Sequence, residues 1–268
     1  MSFDAVLVHF GDPAPTQAAV ARLSALAPAS ITVVDNSANL PALPAARILT
    51  PGQNLGFGSG VNLGATAGRA GWLLVLNPDA EITHSAVDAL LADGHRHPGL
   101  GMLAPRLLHA DGSDQVNGGR FSGWVRESSR CLGAGRRLRG LRAGLRRESR
   151  PGGEGQPISR PWVSAATVLV RRTAFEQVEG FDERFFLYYE DEDLCRRLRA
   201  RGWQVVVCPR ATARHAVGGS TGLADPYRSP HFETSRALYH RLHSGPALRA
   251  LVTRDAHRRT ARLLSEMG

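Results

Sequence analysis

A run of five apolar residues, Trp72–Leu76, followed at once by Asn77-Pro78-Asp79, constrains the fold of this chain more than any other feature. A short apolar run without alternation is typical of a strand covered on both faces, as in a parallel sheet that lies between helices. The segments around it alternate, with predicted strands over 5–10, 30–35 and 46–49 and predicted helices over 13–26, 59–69 and 85–95. This alternation predicts an α/β fold with a mostly parallel sheet flanked by helices.

The second half of the chain continues this pattern less regularly. Its predicted elements are a strand over 162–171, a helix over 190–201 and a strand over 204–208. Residues 132–156 are rich in Gly and Arg and are interpreted as a loop. We therefore expect one domain over 1–225, interrupted by this loop, and a tail over 226–268 that forms one or two closing helices.

The composition limits the class of protein. No apolar run approaches the roughly 20 residues that a membrane-spanning helix needs. The N-terminus lacks a basic segment, and the three cysteines form no CxxC pair, so we expect a cytoplasmic protein with reduced thiols. The net charge of +9 comes from 33 arginines and no lysine. A GC-rich coding bias also favours arginine over lysine. The charge is therefore a poor indicator of nucleic-acid binding, and no nucleic-acid binding is expected.

Polar residues follow two of the predicted strands, at the sheet edge where open α/β folds bind ligands. Asp35 and Asn36 end one strand, where a carboxylate can accept from a base or a ribose; a turn-forming pair is the alternative. Asp79 follows the buried strand, and one carboxylate together with substrate phosphates is the usual way of holding Mg²⁺ or Mn²⁺. Capping of the next helix is the alternative, although Ser85 is the better-placed cap.

A glycine-rich segment, 54–62, precedes one of the predicted helices. Its glycines allow the backbone to approach a ligand closely, and the helix that follows offers free N–H groups to an anion. The spacing matches neither a Rossmann fingerprint nor a P-loop, so this segment alone is a weak indication of a nucleotide site.

Four consecutive acidic residues, 190–193, begin a predicted helix, where the helix dipole favours negative charge. Helical spacing places Asp191 on the apolar face and Glu190 at the edge of that face. Glu192 and Asp193 lie one turn before two arginines, as in ordinary surface ion pairs. The inward carboxylate is compatible with a general base or with a buried ion pair to an arginine.

His215 lies just beyond the last predicted strand. A single histidine is more often structural than a ligand, and this chain has ten of them. Only its position relative to the acidic residues favours a role in the site.

Taken in order, the motifs form a specific series. They are Val-Asp-Asn, Asn-x-Gly-Phe-x-x-Gly-x-Asn-x-Gly, Leu-Asn-Pro-Asp, Phe-Asp-Glu-x-Phe-Phe-x-Tyr-x-Glu-Asp-x-Asp-Leu-Cys-x-Arg and a late His-x-x-Gly-x-Ser. This series resembles the family 2 glycosyltransferases, and in particular their rhamnosyltransferase-like branch with the GT-A fold. The resemblance covers about residues 4–221.

The resemblance implies an inverting glycosyltransferase of cell-envelope polysaccharide or glycolipid synthesis. It would move a rhamnose-like or other hexose from a dTDP- or UDP-linked donor to a hydroxyl of a glycan or lipid-linked glycan. It implies a GT-A-like nucleotide-binding sheet with a smaller β region on the acceptor side. The residues that would bind the nucleotide sugar are Asp35, Asn36, Asn54, Gly56, Asn62, Asn77, Asp79, Trp162 and Ser164.

The same resemblance implies the catalytic and metal-binding groups. Asp191 resembles the base that deprotonates the acceptor, with Glu190 beside it, and His215 resembles a histidine that completes the metal site. One departure is that Asn77 stands where a full DxD motif has its first acid. Asp79 would then be the single carboxylate ligand of a Mg²⁺ or Mn²⁺ ion, which would depend more on the diphosphate and on His215.

The loop also contains a candidate membrane contact. Residues 136–147 place leucines at helical spacing among arginines, which is the pattern of a helix at a membrane surface. A solvated loop is the alternative. We therefore expect peripheral contact with the anionic inner face of the cell membrane as a hypothesis.

Three other functions are less compatible with the sequence. A sugar-phosphate nucleotidyltransferase needs a glycine-rich loop with a catalytic Arg or Lys near the N-terminus, which residues 10–16 lack. An arginine-rich nucleic-acid-binding protein needs aromatics among its basic residues, whereas the aromatics here lie beside acids at 181–189. A non-catalytic glycosyltransferase is disfavoured by the presence of Asp79, Asp191 and His215.

Overall fold

The computed structural model describes residues 2–131, 155–216 and 229–267. Within these ranges the strands are β1 (Phe3–His9), β2 (Ser30–Asp35), β3 (Arg47–Leu49), β4 (Trp72–Leu76), β5 (Ala80–Ile82), β6 (Leu100–Leu108), β7 (Ile158–Ser159), β8 (Thr167–Arg171) and β9 (Gln204–His215). The helices are α1 (Pro13–Ser24), α2 (Phe57–Ala65), α3 (His84–Arg96), α4 (Trp124–Cys131), α5 (Arg172–Gln177), α6 (Glu190–Ala200), α7 (Pro230–His243) and α8 (Pro246–Met267).

The described strands form one sheet in the order β3-β2-β1-β4-β8-β6-β9-β5, with β7 paired to β9. The first four strands of this order are parallel, so that β1, β2 and β4 all end at the same edge. Every residue of β4 is buried, which confirms the predicted central strand at Trp72–Leu76. The predicted α/β fold with a mostly parallel sheet is confirmed as well.

Strand β8 runs antiparallel between β4 and β6, with Thr167 opposite Leu76. The segment before β8 therefore arrives at the edge where β4 ends. The predicted strand over 162–171 is too long, because Trp162 forms only an isolated bridge to Gly119. Trp162 and Ser164 lie in this non-strand segment, and the N–H of Ser164 donates to Asn117 at 3.2 Å.

Strand β9 extends to His215, although the sequence predicts that it ends at Cys208. Its pairing with β6 shifts register after the Pro105–Cys208 pair, and this irregularity accommodates Pro209 without ending the strand. The added residues reach β5, where His215 lies opposite Ala80. The longer strand thereby carries His215 to the residue that follows Asp79.

Helices cover both faces of the sheet. On one face α1 and α3 contribute Leu23 and Leu90 to an apolar cluster. On the other face α2, α5 and α6 contribute side chains such as Val61, Phe175 and Leu198. Burying each such side chain contributes about 1.5–3 kcal/mol, so the two clusters hold the sheet between two helical layers.

The start of α3 differs in detail from the sequence prediction. The hydroxyl of Thr83 accepts from the N–H of Ala86, and Thr83 is the residue before the first helical turn. Ser85, the predicted cap, lies inside the helix. Asp79 does not cap this helix either, because the three residues of β5 lie between Asp79 and Thr83.

The tail forms two helices, as expected, and a buried arginine joins them to α4. The guanidinium of Arg236 donates to Glu127 of α4 at 2.7 Å, to Glu233 of α7 at 2.6 Å and to Asp255 of α8 at 2.9 Å. The Arg236 side chain is fully buried. Among the helices that the structure describes, none has the length and apolarity needed to cross a bilayer. Residues 136–147 lie outside the described ranges.

Replacing Arg236 by Met is expected to lower the free energy of unfolding by about 3–5 kcal/mol, because three buried carboxylates lose their common counter-charge. Urea unfolding of the purified variant measures this loss. Arg262→Met is the matched control, since Arg262 is exposed and pairs with Glu266 at 2.8 Å on the surface of α8. We expect the control to change stability by no more than about 0.5 kcal/mol. Equal effects of the two substitutions would contradict the proposed importance of the Arg236 cluster.

Candidate active site

A cavity of about 600 Å³ opens where β1, β2 and β4 end. Residues from both halves of the chain line it, including the loop before α2, the segment before β8 and the first turns of α6 and α7. The predicted site residues that line it are Asn36, Asn54, Gly56, Asn77, Asp79, Trp162, Ser164, Glu190, Asp191 and His215. Asp79 and Asp191 therefore face one common space, although 112 residues separate them in the chain.

Asp35 is not among the residues that line this cavity, and its contact with a nucleotide stays a prediction. The side chain is buried, and its two carboxylate oxygens accept from the backbone N–H groups of Ser37 at 3.0 Å and Leu40 at 2.9 Å. Asp35 thus shapes the turn after β2. The alternative of a turn-forming residue describes this position better.

Asn62 also lies outside the cavity lining. Its amide oxygen accepts from the N–H of Phe181 at 2.8 Å, and its amide nitrogen donates to the carbonyl of Phe181 at 2.9 Å. These two hydrogen bonds join α2 to the segment that leads into α6. Asn62 therefore positions this segment, and its contact with the nucleotide sugar stays a prediction.

The loop before α2 forms one wall of the cavity through backbone contacts. Gly56 has a φ of 79°, and a Cβ at this position would overlap the carbonyl oxygen of Phe186. The same carbonyl accepts from the N–H of Phe57 at 3.0 Å, and the carbonyl of Gly56 accepts from Asn36 at 3.1 Å. Only glycine allows the two backbones to approach this closely.

Asp79 and His215 form a pair at one part of the cavity. Oδ1 of Asp79 lies 3.4 Å from Nε2 of His215, and Nδ2 of Asn77 lies 3.4 Å from the same nitrogen. A carboxylate oxygen and an imidazole nitrogen are suitable ligands for Mn²⁺ or Mg²⁺, and this separation allows both to reach one ion. The described residues contain no cluster of three or more His, Cys, Asp and Glu side chains with metal-binding geometry. The observed fit to a metal ion therefore rests on the Asp79–His215 pair.

Glu190 and Asp191 lie together at the first turn of α6. Burial raises the pKa of Asp191 to about 7, and the nearby charge of Glu192 adds to this rise. Burial also raises the pKa of Glu190 well above its ordinary value, and the charge of Asp191 raises it further. A carboxylate with a pKa near neutrality can accept a proton at physiological pH, as a general base must.

The other two acids of the run are buried, which corrects the predicted surface ion pairs. Glu192 accepts from the N–H of Ser122 and from its hydroxyl. Asp193 pairs with Arg197 at 2.7 Å, as helical spacing suggests, and also with His243 at 2.7 Å. Ser122 and His243 belong to other parts of the chain and cover the side of α6 that was predicted to face solvent. The spacing of residues along one helix cannot predict such contacts.

Two strained residues precede α6. Tyr188 and Tyr189 both adopt left-handed backbone conformations, with φ values of 68° and 66°. Such conformations cost about 1–3 kcal/mol each in non-glycine residues and persist where the surrounding packing determines them. The ring of Tyr189 lies 5.3 Å from the rings of Phe232 and Tyr239 of α7. The tail therefore helps to fix the position of the acidic residues.

Several residues line the cavity without being predicted from the sequence as site residues. They are Arg126 of α4, Phe186 before α6, and His231 and Phe232 of α7. The rings of Phe186 and His231 lie 4.5 Å apart. The aromatic residues beside the acidic run were a visible signal for Phe186, whereas no local pattern marks Arg126 or His231. The tail thus takes part in the site and does more than close the fold.

Comparison with known proteins identifies the family. The family model described as "Glycosyltransferase like family 2" matches residues 158–234. The N-acetylglucosaminyl-diphospho-decaprenol L-rhamnosyltransferase of Mycobacterium tuberculosis is 35% identical over 240 residues, which covers 81% of this chain and 76% of the relative. The chain belongs to the family 2 glycosyltransferases. This assignment confirms the resemblance and removes the nucleotidyltransferase and nucleic-acid-binding alternatives.

Solved structures confirm the GT-A fold. The mannosyltransferase PcManGT from Pyrobaculum calidifontis, in complex with GDP-Man and Mn²⁺, has a TM-score of 0.57 at 12% identity, covering 99% of this chain and 74% of that chain. GalNAc-T7 with UDP, GalNAc and Mn²⁺ has a TM-score of 0.59 at 12% identity and covers 90% of this chain. This glycosyltransferase spans about half of the GalNAc-T7 chain, 50% of its length. At such low identity the likeness concerns the fold alone.

Replacing Gly56 by Ala is expected to displace the cavity wall, because the added methyl group meets the backbone of Phe186. We expect a loss of about 2 kcal/mol in unfolding free energy and a weaker affinity for any nucleotide ligand. Gly71→Ala is the matched control, since nothing lies within 4 Å of a Cβ at Gly71. Thermal unfolding with and without nucleotide measures both effects. A Gly56→Ala variant as stable as the control would contradict the close backbone approach.

Proposed function

We propose that this glycosyltransferase moves L-rhamnose from a nucleotide diphosphate, with inversion, to the sugar of a lipid-linked diphosphate acceptor. The observation that carries the proposal is the common cavity of Asp79, His215 and Asp191 in a chain 35% identical to a rhamnosyltransferase. That relative is named for an N-acetylglucosaminyl-diphospho-decaprenol acceptor. We therefore take N-acetylglucosamine on a polyprenyl diphosphate as the acceptor class and cell-envelope synthesis as the setting.

The donor would lie against the edge where β2 and β4 end. Asn36, Asn54 and Gly56 line this wall and would contact the nucleotide. Asp79 and His215 would hold Mn²⁺ or Mg²⁺, with the donor diphosphate supplying further oxygens. When bound, the ion neutralises the negative charge that grows on the departing diphosphate. We propose a dTDP-linked donor, with a UDP-linked donor as the alternative outcome of a substrate screen.

The acceptor hydroxyl would lie beside Asp191. As its oxygen attacks the anomeric carbon, the carbon–oxygen bond to the diphosphate breaks and Asp191 takes the hydroxyl proton. General-base assistance of this kind contributes about 10²–10⁴ in rate. Glu190 would remain protonated, because burial and the charge of Asp191 hold its pKa high. In that form it can donate a hydrogen bond to the acceptor or to Asp191.

Asp191→Asn and Asp79→Ala are both expected to reduce transfer of rhamnose by about 10²-fold or more while leaving the protein folded. The measurement is product formation from dTDP-rhamnose and a short-chain N-acetylglucosaminyl diphospholipid, with Mn²⁺ or Mg²⁺. Asp88→Asn is the control, because Asp88 is an exposed residue of α3 that pairs with His84. It is expected to retain wild-type turnover.

A raised folded-state pKa means that ionisation of Asp191 destabilises the fold, and this cost is fully present above about pH 7. At about pH 8 the Asn variant should therefore unfold at the same or a higher temperature than the wild type. Near-normal turnover of either site variant would remove that residue from the mechanism. Absence of wild-type transfer with every donor would favour the non-catalytic alternative.

The pH dependence provides a separate prediction. Because Asp191 must be ionised to accept a proton and its pKa is raised to about 7, kcat/KM should rise with pH through neutrality and level off above it. One pH unit below the midpoint, the rate should be about one-tenth of the plateau. Initial rates in overlapping buffers at constant ionic strength measure the profile. A flat profile between about pH 5.5 and pH 8.5 would contradict a raised pKa at the base.

A further inference from the structure

One arginine faces the cavity at a distance along the chain from every predicted motif. Arg126 is the third residue of α4, and its side chain is exposed. Among the described residues that line the cavity it is the only arginine, and the chain contains no lysine. The other basic residues of the lining are His215 and His231. Arg126 therefore supplies the one permanent positive charge of the described lining.

Arg126 lies on the side of the cavity that carries the acidic residues. Burial raises the pKa of Tyr189, and Arg126 is close enough for its charge to oppose this rise. Tyr189 directly precedes Glu190 and Asp191, the residues proposed to face the acceptor. The arginine is thus near the acceptor hydroxyl, whereas Asp79 and His215 are proposed to face the donor diphosphate.

The neighbouring residues of α4 show which side of this helix packs against the protein and which side is exposed. Glu127 is buried and accepts from Arg236 at 2.7 Å, so this side of α4 is held against α7 and α8. Trp124 and Val125, on the other side of Arg126, are 53% and 81% exposed. Two exposed apolar side chains beside an arginine are a suitable surface for a phosphate attached to an apolar chain.

We propose that Arg126 binds the diphosphate of the lipid-linked acceptor. The inference rests on the proposed function, because only that function brings a second diphosphate into the cavity. An acceptor diphosphate beside Glu190, Asp191 and Glu192 would otherwise meet an acidic surface. The planar guanidinium can form two parallel hydrogen bonds to phosphate oxygens, and Trp124 and Val125 would contact the first part of the lipid.

The test compares two acceptors that differ only at the diphosphate. One is N-acetylglucosamine diphosphate linked to a short isoprenoid, and the other is the N-acetylglucosamine glycoside of the same isoprenoid. For Arg126→Ala we expect KM for the diphosphate acceptor to rise about tenfold or more, with kcat changed by less than about threefold. With the glycoside the substitution should change KM by less than about threefold. Arg126→Lys should recover part of the loss, because it keeps the charge but not the paired hydrogen bonds.

Arg254→Ala is the matched control, since Arg254 is an exposed residue of α8 outside the cavity lining. It removes the same charge and should leave KM for both acceptors unchanged. An equal loss on the two acceptors, or no loss on the diphosphate acceptor, would overturn the assignment of Arg126. A rise in KM for the donor in place of the acceptor would overturn it as well.

Equilibrium binding separates this inference from the proposed function. Titration of the diphosphate acceptor into the protein, followed by tryptophan fluorescence, gives a Kd that does not require transfer. We expect the Kd to rise about tenfold in Arg126→Ala and to stay constant in Arg254→Ala. Arginine-dependent binding without transfer would refute the proposed rhamnosyl transfer and support the diphosphate site. Transfer with binding that is independent of Arg126 would support the function and refute the site.

Discussion

The site depends on holding two neighbouring carboxyl groups, the buried Glu190 and the half-buried Asp191, at the first turn of α6. Burial opposes ionisation of both groups, and the positive end of the helix dipole offsets only a part of this cost. The turn that places them adds strain, because Tyr188 and Tyr189 both adopt left-handed conformations. Such an arrangement persists only where the surrounding structure holds it, and here α7 supplies the aromatic contacts.

The cluster around Arg236 explains how helices from distant parts of the chain provide that support. Buried ion pairs add little net stability, but breaking one is costly, and their geometry is specific. Arg236 contacts carboxylates of α4, α7 and α8 and so fixes the three helices relative to one another. Two of these helices, α4 and α7, also line the cavity. A structural charge cluster thereby helps to set the shape of the cavity.

Local patterns in the sequence predict the residues whose role follows from their own strand or helix. The buried run of β4 predicts where Asp79 emerges. The apolar stripe of α6 does not distinguish Asp191 from its neighbours in this way, because Asp191 is half-buried whereas Glu190, Glu192 and Asp193 are buried. The partners of Asp35, Asn62 and Glu192 could not be predicted because they come from other segments: the turn after β2, the loop at Phe181, and Ser122. The length of β9 was missed for a similar reason, since pairing with β6 and β5 carries the strand past Pro209. Contacts between distant segments of the chain leave no periodic pattern in the sequence.

The distribution of charge in the cavity follows from what such a glycosyltransferase must bind. Both proposed substrates carry a diphosphate, and the two must approach each other closely although their charges repel. If Asp79 and His215 hold the proposed ion, the donor phosphates would supply further ligands and the donor would bring part of its own site. The bonds of the acceptor diphosphate do not change in the proposed reaction. A positive charge that persists across neutral pH would bind it, and a guanidinium provides such a charge. In this proposal a guanidinium on α4 would bind the acceptor while a carboxylate on α6 takes its proton, so that binding and proton transfer are carried out by residues of different helices.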